Sequence, residues 1–277
     1  MFMKMTCRLI GLVMAAGLLL ARGAENAGKN GAQTALTKLL REATLTILQE
    51  GNTRYAAGRP LHPNQDVARR LSTAAEGQQP LATVLACSDS REPVELIFDR
   101  GLGELFVVRV AGNVADTDQL ATIEYGVDHL ETPLLLVVGH SRCGAVTAAV
   151  TGAELHGHLP QLVAKIKPAV EKAKAGGADG LTIIDESIRA NVWQSVGDIL
   201  RRSEIVRKRV QAGNLHVVGA VYDLDSGMVR WLGVHPEQEA LLAQTAVDPI
   251  TEPAPPSTGP LVQRPKLVEK PRELAHP

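Results

Sequence analysis

Two apolar runs constrain this chain more than anything else in it, because each ends on side chains that bind metal. Residues 81–85 lead into Ala86-Cys87-Ser88-Asp89-Ser90-Arg91, and residues 134–138 lead into Gly139-His140-Ser141-Arg142-Cys143-Gly144. Short apolar runs bounded by turn signals, here Gly77-Gln78-Gln79-Pro80 and Pro133, read as buried strands. Two strand ends therefore deliver Cys87, His140 and Cys143, spaced C-x52-H-x2-C. Thiolate and imidazole are the donors zinc prefers. Three protein donors leave a fourth tetrahedral position for water, the arrangement of a catalytic site rather than a closed structural one.

The other segments follow in an alternating order. Residues 34–57 read as a long helix interrupted at Gly51-Asn52, after a loose linker over 24–33. Residues 92–100 carry a short helical pattern and 105–110 a second strand. Residues 113–118 form a polar loop whose last residue caps an amphipathic helix over 119–131. Further helices are expected over 143–150 and 161–175, and one or two over 185–209. A strand over 215–222, a turn at Asp225-Ser226-Gly227 and a strand over 228–234 make a hairpin. The expected fold is therefore α/β: a mostly parallel central sheet with an antiparallel edge hairpin, flanked by helices, with a long N-terminal helix. Ligands of such sheets sit outside the carboxyl ends of the strands, where Cys87 and His140 fall.

The two ends of the chain read differently. Residues 1–23 form a secretory signal peptide, with Lys4 and Arg8 before an apolar stretch over 9–21 and small residues Ala21 and Gly23 before the cut. The mature protein is expected in the periplasm. Residues 236–277, with Pro253, Pro255 and Pro256, read as a Pro-rich disordered tail, leaving 34–235 as the zinc domain. Of three cysteines, Cys7 leaves with the leader, so the two that remain are both ligands and no structural disulfide is left. A formal net charge of −1 and the lack of a long basic run exclude nucleic acid as an expected partner.

Cys-Ser-Asp-Ser-Arg, followed about fifty residues on by Gly-His-Ser-x-Cys-Gly, resembles the β-class carbonic anhydrases, over roughly residues 47–234. The resemblance implies reversible hydration of CO2 to bicarbonate and a proton, one Zn2+ per subunit, and a homodimer or dimer of dimers in which the N-terminal helix packs on a partner subunit. It places Gln78 against the substrate of the neighbouring subunit and Phe106 and Tyr125 in an apolar pocket suited to CO2. One departure is Val110-Ala111-Gly112-Asn113 after Arg109, where Asn-Val-Ala-Asn is common in the family.

The residues beside the ligands suggest how the reaction would run. Zinc-bound water acts as a nucleophile near neutral pH because the cation lowers its pKa. Two thiolates make the metal a weaker acidifier than histidines would, so a supporting group is needed. Asp89 and Arg91, two residues apart, are suited to a bidentate pair that keeps Asp89 ionised and off the metal while its carboxylate orients the hydroxide. The family gives this dyad the same role. Members that close their site with bicarbonate carry a tryptophan three residues before the first cysteine. Val84 stands there in this chain, so an open, plant-type site is expected.

Three other readings compete with this one. A phosphatase-type cysteine needs an arginine six residues on, but positions 93 and 149 are Pro and Ala. A non-catalytic zinc module would need no Asp89–Arg91 pair. A sister hydrolase of CS2 or COS on the same scaffold shares every motif and is separated only by comparative turnover.

Overall fold

The computed structural model describes residues 28–180 and 182–244. The expected signal peptide, the first residues of the expected linker and most of the expected tail lie outside them. Among the described residues no helix is long and apolar enough to cross a membrane. Five strands form one sheet: β1 (Ala82–Ala86), β2 (Leu105–Arg109), β3 (Leu134–His140), β4 (His216–Tyr222) and β5 (Val229–Gly233). Their order is β2-β1-β3-β4-β5. The first four run parallel, and β5 returns antiparallel along β4. This is the α/β sheet with an edge hairpin that the alternation of segments implies.

The apolar runs are continuous because β1 and β3 are buried on both faces. Alternate residues serve two cores. Leu85, Leu135, Val137 and Val217 point to one side, and Val84, Ala86, Leu136, Val138 and Val218 to the other. Helix α1 (Gly28–Ala56) and the short α3 (Val94–Ile97) border the second core through Leu48, Val94, Ile97 and Phe98. The first is covered by α4 (Thr117–Glu124), α5 (Gly144–Thr151), α7 (Lys167–Ala175), α8 (Ile183–Arg202) and α9 (Glu204–Gln211), with Val192, Val196, Ile199 and Leu200 of α8 wholly buried.

Several expectations change in the folded chain. Helix α1 begins at Gly28, inside the expected linker, and does not break at Gly51-Asn52. Gly51 is there for space: a Cβ would stand 1.9 Å from the Phe98 carbonyl oxygen. Asn52 is a tether, donating to the carbonyls of Ile97 and Gly227 and accepting the Val229 N–H. Helix α2 (Val67–Glu76) had no expectation attached to it. It starts on Asp66, which accepts the Arg69 N–H, and buries none of its residues, so no core stripe marks it in the sequence.

The cap of α4 is Asp116 rather than Asp118, and this helix passes into a π turn over Tyr125–His129 in place of continuing to 131. The helix expected over 161–175 divides into α6 (Leu159–Ala164) and α7, because Pro168 near the start of α7 has no N–H to continue the ladder. The segment 185–209 holds two helices, α8 and α9, as its pattern allowed, with Ser203 between them accepting the Val206 N–H. At the start of the expected tail lies a last helix, α10 (Gln238–Ala243), anchored by buried Leu241 and by Gln211, which donates to the Leu242 carbonyl.

Candidate metal centre

Cys87 follows β1 directly, His140 is the last residue of β3, and Cys143 is the N-cap of α5. Because β1 and β3 are parallel neighbours, their carboxyl ends lie side by side. The two sulfurs stand 4.0 Å apart. The donor atoms of Cys87, His140 and Cys143 all lie within 4.8 Å of one another, and all three residues are buried. His140 Nδ1 is 2.9 Å from the Ser141 carbonyl, so it carries the proton of a neutral ring and leaves Nε2 as the donor to metal. That Nε2 is buried and makes no hydrogen bond of normal geometry.

The electrostatics favour positive charge at this point. The Cys87 thiol is pushed well below the ordinary cysteine range, first by the hydrogen bond from Cys143, then by His140 and the Gly112 N–H, against the opposing effect of burial. Burial works against a charged His140, but the Cys87 sulfur and the Glu92 carboxyl more than offset it and draw the ring toward protonation. The Cys143 thiol is pushed up, first by its hydrogen bond to the Cys87 sulfur and then by burial, and the first-turn amides of Val146 and Ala145 oppose this only in part. Tetrahedral zinc with sulfur bonds near 2.3 Å would hold two sulfurs about 3.8 Å apart. The donor set, the spacing and the orphaned Nε2 all fit that ion.

Asp89 and Arg91 form a fork. Arg91 Nε donates to Oδ1 at 2.9 Å and Nη2 to Oδ2 at 2.7 Å, and the Arg91 backbone N–H adds a third bond to Oδ1 at 2.9 Å. These bonds hold the Asp89 carboxyl far below the usual carboxylate range. Its Oδ2 stands 3.7 Å from His140 Nε2, beside the ligand cluster.

Other groups around the loop were not found from the sequence. Arg109, at the end of β2, donates to the carbonyls of Cys87 and Asp89 at 2.8 and 2.6 Å and so holds the loop from behind. Glu92 is fully buried, accepts the Cys87 N–H at 2.9 Å through Oε2, and leaves Oε1 without a partner. Burial pushes its carboxyl up to about 8. Its neighbours Ser90, Arg91 and Glu95 are polar, so nothing local in the sequence marks Glu92 as buried.

The chain does not gather the expected pocket residues at its own cluster. Phe106 pairs across the sheet with Thr83, four residues before Cys87, about 13 Å along a strand at ~3.3 Å per residue. Gln78 is exposed in the turn that precedes β1. Tyr125, 45% exposed, stacks on His129 and lies 5.6 Å from the Phe106 ring. These three sit toward the amino ends of β1 and β2, and the cysteines and His140 at the carboxyl ends.

The carbonic anhydrase family profile matches residues 82–229, more than half of the chain and the whole of the ligand set. The chain belongs to the β-class carbonic anhydrases. Carbonic anhydrase 2 of Mycobacterium tuberculosis is 44% identical over 189 residues, which cover 67% of this chain and 89% of that protein. Among solved structures, a β-carbonic anhydrase of Aspergillus fumigatus superposes with a TM-score of 0.57 at 31% identity, over 62% of this chain and 84% of that one. A tetrameric β-carbonic anhydrase of Sordaria macrospora gives 0.55 at 27%, over 61% and 88%. As a carbonic anhydrase the chain is an enzyme of reversible CO2 hydration, and the two motifs at residues 86–91 and 139–144 meet in its fold.

Proposed function

We propose that this carbonic anhydrase works with one zinc ion per subunit, held by Cys87 Sγ, His140 Nε2 and Cys143 Sγ. The convergence of these three buried donors on one point carries the reading. Zinc bound there supplies a Lewis acid that makes water nucleophilic near neutral pH. The protein's own part is orientation. Arg91 keeps Asp89 ionised and turned away from the sulfurs, and Asp89 accepts a hydrogen bond from the attacking water so that a lone pair faces the CO2 carbon. Stopped-flow CO2 hydration by the mature protein, with and without chelator, tests this. Turnover that chelation does not touch would refute it.

The active unit is a dimer or a dimer of dimers. Gln78, Phe106 and Tyr125 sit at the strand ends far from this chain's own ligands, so they line a pocket only as the partner of another subunit's cluster. One of the similar structures is itself described as tetrameric. Light scattering on active protein checks this, and a fully active monomer opposes it. The protein is exported, its mature chain beginning near Ala24 in the periplasm, with residues 34–235 as the catalytic domain and the Pro-rich tail beyond it. N-terminal sequencing of the fractionated protein tests that reading.

A further inference from the structure

The 3-10 turn over Ala111–Asn113 follows β2 and sits beneath the first ligand. The Gly112 N–H points at the Cys87 sulfur, with nitrogen and sulfur 3.3 Å apart. The turn needs glycine there twice over. Gly112 has φ +71°, and a Cβ would stand 2.6 Å from Ile166 Cδ1 and 3.2 Å from Ala145 Cβ. The peptide that carries this N–H is therefore confined by packing, and the carbonyl on its other side is held by a different element.

That element is α8. Asn191 Nδ2 donates to the Gly112 carbonyl at 2.7 Å, and Ser195 Oγ donates to the Asn113 carbonyl at 2.9 Å. Both residues are buried, at 0% and 2% exposure. They are one helical turn apart, on a face otherwise built of Ile188, Val192, Val196 and Ile199. Two polar side chains on such a face cost desolvation that their bonds must offset, and each is spent on the same turn. Helix α8 also leans on the other ligand strand. A Cβ on Gly139, the residue before His140, would meet Val192 Cγ2 at 2.8 Å and Ile188 Cγ2 at 3.3 Å.

We infer that Asn191 and Ser195 are positioning residues of the metal centre: they fix the turn over Ala111–Asn113 so that the Gly112 N–H donates to the Cys87 sulfur. This rests on the reading of Cys87 as a metal ligand. An N–H on a coordinating sulfur withdraws charge from it and fixes its direction, so it adjusts both the metal's acidity and its hold on the site. Gly112 itself belongs to the stretch that departs from the pattern common in the family, and the glycine is what allows the close approach of this peptide to Ala145 and Ile166.

The test uses the full mature protein loaded with zinc or with cobalt(II), in wild-type, Asn191→Leu, Ser195→Ala and Ser195→Thr forms. Cobalt–thiolate charge-transfer absorption reports how electron-rich the sulfurs are, which a purely structural contact at α8 would leave alone. Asn191→Leu and Ser195→Ala are expected to move this band to longer wavelength and to weaken zinc binding, measured by chelator competition, by roughly 10- to 100-fold. Ser195→Thr keeps the hydroxyl and is expected to match wild type. Ser195→Ala removes a single oxygen and carries the test if the leucine variant does not fold. An unchanged band and unchanged zinc affinity in a folded variant would overturn the inference. Wild-type protein that shows no thiolate band at all would instead overturn the assignment of the ligands.

Discussion

Arg91 holds Asp89 by both carboxylate oxygens and by its own backbone N–H, three bonds of 2.7–2.9 Å, while Asp89 Oδ2 remains 3.7 Å from His140 Nε2. The carboxylate is thus ionised, beside the ligand cluster, and already engaged. A bidentate guanidinium–carboxylate pair fixes direction as well as charge, which a lysine in place of Arg91 would not do.

The dyad gives the first prediction. Asp89→Asn keeps the three ligands and should retain zinc while losing about 10²-fold or more in CO2 hydration. Arg91→Ala should fall as far, because a released Asp89 is free to turn onto the metal. Metal analysis beside stopped-flow rates checks both, and an asparagine variant with wild-type turnover would remove Asp89 from the mechanism.

Removing a ligand should have the opposite signature. Cys143→Ser leaves the dyad intact but replaces a thiolate donor with a hydroxyl, so zinc should be largely lost. Full zinc content in the purified variant would show that Cys143 is not a ligand.

The two sulfurs, 4.0 Å apart, need to close by only about 2 Å to reach disulfide length. Chelated mature protein held in air should therefore lose both titratable thiols, and zinc should protect them. Thiol counts that stay at two after chelation would mean that the strand ends are too rigid to let the sulfurs meet.

Val84 is fully buried and pairs with Val107 and Leu136, so it contributes a small apolar side chain and no hydrogen-bond donor behind the site. A ligand shifts a population only if it prefers one state, and bicarbonate has no such preference without a pocket to hold it. Inhibition by bicarbonate should be hyperbolic. Cooperative inhibition, or a crystal structure near pH 8 with Asp89 on the metal, would contradict the open site.

Acid stability should depend on Asp99, whose carboxylate is buried away from the site. It accepts the N–H groups of Leu61 and His62 at 2.9–3.0 Å and pairs with Arg54 at 2.7 Å. Burial opposes its charge, but the Leu61 and His62 amides with Arg54 outweigh burial and lower its pKa. A folded value below the unfolded one, about 3.9, means that this stabilisation is present above pH 4 and is lost as pH falls through the folded value. Asp99→Asn should cost roughly 3 kcal/mol at neutral pH and make stability less steep in acid. Denaturant melts at pH 7 and at pH 3 measure both effects, and equal losses at the two pH values would assign the role to packing.

The sequence alone determined the sheet and the three candidate metal donors, because both are written in local signals. Strands buried on both faces must be apolar throughout, and the residues at their ends must emerge at the carboxyl edge, which is where Cys87 and His140 lie. The Asp89–Arg91 fork was legible for the same reason, its partners being two residues apart. What only the tertiary structure decided joins residues distant in sequence. Asn52 ties α1 to the β5 hairpin, and Asn191 reaches Gly112 across 79 positions. Asn191 and Ser195 read locally as polar breaks in an apolar helical stripe, and nothing nearby says which carbonyls they meet. The separation of Phe106 from Cys87 is likewise a matter of strand register, which follows from how β1 and β2 pair and not from the composition of either.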